Sequence, residues 1–219
     1  MKRNLITLLI VITAGLVLAR IALYTPGPDK AAMAPAPEAL KSLLLSEPRP
    51  LKPFTLSDHN GQPLGLAQLK GQWSFIFFGY THCPDICPTT LGMLKGVANK
   101  LDEHDRISSD TRFLFVSVDP KRDTLPHLKD YIEYFHKEFV AATGERQEID
   151  SLARSLGAMY MFDGDIEKDD YIVNHSASVA LVNPQGEWVA RFNPPHTAKP
   201  FYSDYLQLRD YFKTTTPQD

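Results

Sequence analysis

Trp73–Tyr80 is a continuous, mostly aromatic run bounded by glycine, the pattern of a strand buried on both faces. Arg112–Val118 is a second such run. Between them, Leu91, Leu94, Ala98 and Leu101 recur at helical spacing, with Lys95, Lys100 and Glu103 off that stripe. Strand, helix, strand in this order calls for a parallel pair joined by a crossover, and hence for an α/β sheet. Leu125, Leu128, Ile132 and Phe135 predict a second amphipathic helix, and Ile149, Leu152, Ala153 and Leu156 a shorter third one. Ala177–Val182 and Glu187–Phe192 flank Asn183-Pro184-Gln185-Gly186, a turn sequence that suits an antiparallel hairpin. Upstream, Phe54-Thr55-Leu56 and Leu64/Leu66 flank Asp58-His59-Asn60-Gly61, a second hairpin signal. Tyr205, Leu208 and Phe212 predict a closing helix. The expected order is hairpin, β, α, β, α, α, β, β, α, a mixed central sheet flanked by helices.

The first buried run ends in Thr81-His82-Cys83-Pro84-Asp85-Ile86-Cys87-Pro88, and the chain has no cysteine besides these two. A bridge between them closes about five residues, worth only roughly 2 kcal/mol by loop entropy. Such a pair is a poor staple, which favours a chemical role. The loop joins a strand's carboxyl end to a helix start, where ligand sites of α/β sheets form. Pro88 suits the first helical position, so Cys87 is expected at or just before the helix N-terminus, where a thiolate is stabilised. Disulfide exchange, soft-metal binding and nucleophile-plus-resolver redox work all use two adjacent thiols. Thioredoxin-type oxidoreductases separate theirs by two residues; the three here widen the loop and suit a pair that opens around an ion.

A third ligand decides among these chemistries. Of the seven histidines, His59 is expected on the surface of the hairpin turn. His104 and His136 fall at polar helix ends, and His127 and His196 in loops or helix starts, all read as solvated. His82 neighbours Cys83 and can tune it, although consecutive side chains rarely share a metal. His175, in Tyr171-Ile172-Val173-Asn174-His175-Ser176, directly precedes the third sheet run and enters at one end of the sheet; it reads equally as a ligand or as a hydrogen-bonded loop residue. Two thiolates and one imidazole suit three-coordinate Cu(I), whereas structural Zn²⁺ takes four ligands. A three-ligand site also leaves room for an acceptor's ligand to attack, as a carrier requires.

The N-terminus adds a location. Lys2 and Arg3 precede the uncharged Leu5–Ala19, and the apolar stretch continues past Arg20 to Tyr24, about 20 mostly apolar residues in all. The expectation is an anchor at 1–24 that crosses the inner membrane once, its basic N-terminus cytoplasmic and its domain periplasmic. A cleaved signal peptide is the rival, with Ala32-Met33-Ala34 as the available site. Residues 25–50, with six prolines, read as a linker, and 51–215 as the folded domain. Those first 24 residues hold three basic groups and no acids. The rest carries 20 Lys+Arg against 26 Asp+Glu, a formal charge of −6, which excludes a nucleic-acid binder.

Phe54-x-Leu56 with the Asp58–Gly61 turn, Leu69-Lys70-Gly71, the run from Phe78 through the cysteine loop to Leu91, Val116-Ser117-Val118-Asp119-Pro120-Lys121-Arg122-Asp123-Thr124 and Asn174-His175-Ser176 together resemble the Sco/SenC family over roughly residues 50–215. The resemblance implies a thioredoxin-like fold tethered to the membrane, with copper held by Cys83, Cys87 and His175. It also implies delivery to the copper-bearing subunit of cytochrome c oxidase. Other periplasmic copper carriers and thiol reductants are further expected partners. The family often has Asp where this chain has Asn174, a change that removes a charge beside His175 but no ligand. Asp119 and Asp123 match the family's Asp-Pro-x-Arg-Asp segment and read either as supports of the site or partner contacts, or as ordinary loop and cap residues. Two functions follow: a copper metallochaperone, or a thiol–disulfide reductase in which Cys83 attacks an acceptor's disulfide and Cys87 resolves the mixed disulfide.

Overall fold

The chain is described by a computed structural model over residues 35–168 and 170–215. In chain order its strands and longer helices are β1 (Leu44–Pro50), β2 (Thr55–Asp58), β3 (Pro63–Gly65), β4 (Trp73–Gly79), α1 (Ile86–Leu101), β5 (Thr111–Ser117), α2 (Leu125–Phe135), β6 (Val140–Thr143), α3 (Arg146–Ser155), β7 (Tyr160–Asp165), β8 (Asp170–His175), β9 (Val179–Val182), β10 (Glu187–Phe192) and α4 (Ala198–Thr215). Eight strands form one sheet in the order β1-β10-β9-β4-β5-β6-β2-β3. Strands β4, β5 and β6 run parallel, and the rest pair antiparallel. The mixed α/β fold expected from the sequence is the one observed.

β4 is buried along its whole length, as its apolar run requires. Phe75 stacks on Phe113 of the neighbouring strand, with ring centroids 5.2 Å apart, and meets Phe201 and Tyr205 of α4 at 5.1 and 4.7 Å. Tyr131 of α2 lies 5.7 Å from Phe115. Centroid separations of this kind add to what burial alone contributes. The parallel pair turns both crossover loops, 80–85 and 118–124, toward the same sheet end. That end carries the candidate site.

Four strands depart from the sequence reading. Residues 44–50, assigned to the linker, form β1, paired with β10 across a register shift. Pro48 and Pro50 obscured it, yet proline is tolerated on an edge strand, where half of the N–H groups face outward. β6 is only four residues long and left no periodic signal. β7 and β8 pair only with each other, in a two-stranded ribbon apart from the main sheet, with Tyr160 opposite His175. Among the described residues no helix is long and apolar enough to cross a membrane; the expected anchor at 1–24 lies outside them.

Candidate metal centre

Cys83 and Cys87 sit on the β4–α1 loop and the first turn of α1. The helix starts at Ile86, two residues before the expected proline position, so Cys87 lies inside its first turn and Pro88 follows in a place where no i−4 carbonyl needs its missing N–H. Both are free thiols, Cys87 fully buried and Cys83 nearly so. Gly79, at the end of β4, makes room for them. A Cβ there would fall 2.5 Å from Cys87 Sγ and 2.8 Å from Phe115 Cε2.

His175, about ninety residues downstream, comes to the same spot from the end of β8. Its Nε2 lies 3.2 Å from Cys87 Sγ and 3.7 Å from Cys83 Sγ. An ion bonded to sulfur at about 2.3 Å and to nitrogen at about 2.0 Å sets those donors roughly 3.5–3.7 Å apart. The three donors therefore bracket a metal-sized centre with little rearrangement. Nδ1 faces the Ser176 carbonyl at 3.2 Å, so its N–H donates there and the Nε2 lone pair is left to face the sulfurs. Edge-on contacts with Phe77 and Tyr80, centroids 5.9 and 6.0 Å away, fix the ring plane.

The two sulfurs share one proton unequally. The Cys87 thiol donates toward Cys83, and with help from the His175 contact and the Asp85 and Cys87 backbone it brings the Cys83 thiol down to about 4, against the opposing effect of burial. Cys87, itself the donor to that thiolate and buried, is pushed well above the ordinary thiol range. Cys83 is thus the standing thiolate and Cys87 the reserve.

Asp119 and Asp123 are fully buried and hold different parts of this centre. Arg122 Nε donates to Asp119 Oδ2 at 2.5 Å, and Tyr171 of β8 donates its hydroxyl to Asp119 Oδ1 at 2.7 Å. Arg122 also donates to the Tyr171 carbonyl at 3.1 Å and lies 3.6 Å over that ring. This brace ties the β5–α2 loop to the ribbon that presents His175. Asp123 accepts from the Thr81 N–H and hydroxyl at 3.0 and 2.6 Å and from the Ser117 hydroxyl at 2.5 Å, fixing the start of the cysteine loop.

Sequence reasoning missed Tyr171 and Ser176. Tyr171, Val173 and His175 alternate on one face of β8, a strand signal that flanking charges hid. His59 is corrected: it is buried rather than on the surface, with Nδ1 3.1 Å from the Ala141 N–H, a satisfied structural histidine. His196 bonds the Ala177 carbonyl through Nε2 at 2.8 Å, and His136 lies 3.3 Å from Asp102. His104 is exposed, as expected. His82 faces Thr81 and Asp123.

The sequence profile of the SCO1/SenC family matches residues 45–208. The human mitochondrial SCO1 homolog is 37% identical over 140 residues, 64% of this chain and 46% of that protein, so the chain spans about half the length of that relative. The crystal structure of Arabidopsis thaliana ScoI with copper bound superposes with a TM-score of 0.67 at 34% identity, covering 73% of this chain and 98% of that one. BsSco, described as a member of the Sco family of cytochrome c oxidase assembly proteins and as having a disulfide switch, superposes with a TM-score of 0.59 at 25% identity, covering 78% of this chain and 96% of that one.

Proposed function

The chain belongs to the SCO1/SenC family, and from that premise we propose that it is a copper metallochaperone, its cargo one copper ion held by Cys83, Cys87 and His175. The observation that carries this reading is the placement of His175 Nε2 at 3.2 and 3.7 Å from the two sulfurs. Two sulfurs and one imidazole satisfy a soft, low-coordinate ion and leave a position through which a fourth donor can enter. Cys83 is the more exposed of the two sulfurs, and is the ligand that an incoming donor displaces first. Transfer is then a chain of ligand replacements in which copper never leaves coordination. The acceptor is the copper-bearing subunit of cytochrome c oxidase, as the relatives suggest. The apolar stretch at 1–24 anchors the chain in the inner membrane and places the domain in the periplasm, where other copper carriers and thiol reductants load it and keep its thiols reduced.

The split in acidity favours a second activity at the same pair. The Cys83 thiolate attacks an acceptor's disulfide, forming a mixed disulfide and releasing one acceptor thiolate. Cys87, giving up its proton, then attacks Cys83 sulfur, closing the Cys83–Cys87 bridge and releasing the acceptor's second thiolate. Two electrons pass from this chain to the acceptor.

His175→Ala separates the readings. The chaperone reading expects Cu(I) affinity to fall by at least about 100-fold on loss of one of three ligands, with the dithiol still oxidised and reduced. Unchanged copper stoichiometry and affinity in that variant overturn it, and sustained turnover of a disulfide substrate would leave the reductase alone standing.

A further inference from the structure

At the start of the cysteine loop, His82, Asp123 and His127 bring one donor atom each to within 4.8 Å of one another. They reach that point from three segments, His82 from the loop that follows β4, Asp123 from the loop between β5 and α2, and His127 from the first turn of α2. We infer that they form a second metal site, built for a borderline divalent cation of the Zn²⁺ or Cu²⁺ class rather than for Cu(I).

The donor set argues for that class. Two imidazoles and a carboxylate oxygen, with no sulfur, suit borderline divalent ions and serve Cu(I) poorly. Thr81 Oγ1 marks the centre of the cluster. It donates to Asp123 Oδ1 at 2.6 Å and lies 3.1 Å from His82 Nδ1 and 2.9 Å from His127 Nε2. One side-chain rotation of Thr81 opens that centre, and a smaller shift leaves the hydroxyl as a fourth, neutral donor.

The carboxylate is prepared as a ligand. Asp123 is fully buried, and its Oδ2, on the side away from the histidines, is held by the Thr81 N–H at 3.0 Å and the Ser117 hydroxyl at 2.5 Å. Oδ1 faces the two rings, 3.8 Å from His82 Nδ1. The neighbouring arginine, Arg122, is committed to Asp119. A buried carboxylate whose nearest ion-pair partner is a half-exposed histidine leaves a position that a bound cation would fill. His82 and His127 are both exposed, so an ion reaches the site from solvent without any opening of the core. Asn60 and His59 form another neighbouring pair of polar side chains, but with no carboxylate and with His59 buried they offer no comparable set.

Zinc titration of the full chain tests this, with the Cys83, Cys87 and His175 centre first filled by Cu(I) under anaerobic conditions. The expected result is one further equivalent of Zn²⁺, with affinity reduced at least about tenfold by His127→Ala and Cu(I) stoichiometry unchanged by that substitution. No zinc beyond the copper-filled centre, or zinc held equally by His127→Ala, overturns the proposal. The same titration of the Cys83→Ser, Cys87→Ser double variant removes thiol competition, so it decides the matter even if the copper reading fails.

Discussion

β5 has a carboxylate–arginine pair at each end, and the two pairs do different jobs. At its start, Asp110 takes a two-pronged contact from Arg209 of α4, at 2.5 and 2.6 Å, while Tyr205 reaches Thr111 at 2.6 Å. That clamp joins a core helix to a core strand, and Arg209 also lies over Trp73 and Tyr205. Past its other end, Asp119 and Arg122 grip Tyr171, in a ribbon that shares no ladder with the main sheet. The same chemistry therefore sustains the fold at one end and a ligand's position at the other. The comparison explains how a histidine on a peripheral ribbon can be held 3.2 and 3.7 Å from the sulfurs of two cysteines in the core.

Removing the core clamp gives the largest expected effect. Arg209→Ala strands the Asp110 carboxylate; because that side chain is 40% exposed, the usual 3–5 kcal/mol for a broken buried pair is reduced to about 2–4 kcal/mol. Denaturant unfolding should show this loss, with Cu(I) affinity unchanged once the protein is folded. A weakened copper site at unchanged stability would invert the assignment of the two ends.

Arg122→Ala sharpens the contrast. It releases Asp119 and the ribbon together, so hydrogen exchange should rise across 160–175 with protection in β4 and β5 retained. Copper affinity should fall about 10–100-fold. Uniform loss of protection across the sheet would show that the brace belongs to the core after all.

The smallest effect concerns charge. With Cys83 brought down to about 4, its thiolate is fully present above that pH and is lost as pH falls through it. Alkylation of the reduced, metal-free protein should label Cys83 first, at a rate nearly flat from about pH 6 to 8. A rate climbing about tenfold per pH unit over that range is the behaviour of an ordinary thiol near 8.5 and would contradict the shared-proton picture.

Much of this was legible in the residues, and the gaps have physical causes. β4, α1 and the β9–β10 hairpin announced themselves because burial on both faces, or one helical stripe, writes an unmistakable period into sequence. β1 and β6 did not: one is an edge strand carrying Pro48 and Pro50, the other four residues long. The cysteine pair was plain from spacing alone. His175 was not, because its nearness to Cys87 is a long-range product of the ribbon, its brace and the Ser176 carbonyl. Only the family resemblance singled it out beforehand. His59 shows the converse error, since a turn residue can fold inward when a backbone N–H such as that of Ala141 awaits a partner.

X-ray absorption on the Cu(I)-loaded chain tests the central claim most directly. The account predicts one nitrogen at about 2.0 Å and two sulfurs at about 2.3 Å, with the nitrogen contribution gone in His175→Ala. A sulfur-only shell, or a spectrum indifferent to that substitution, would contradict it.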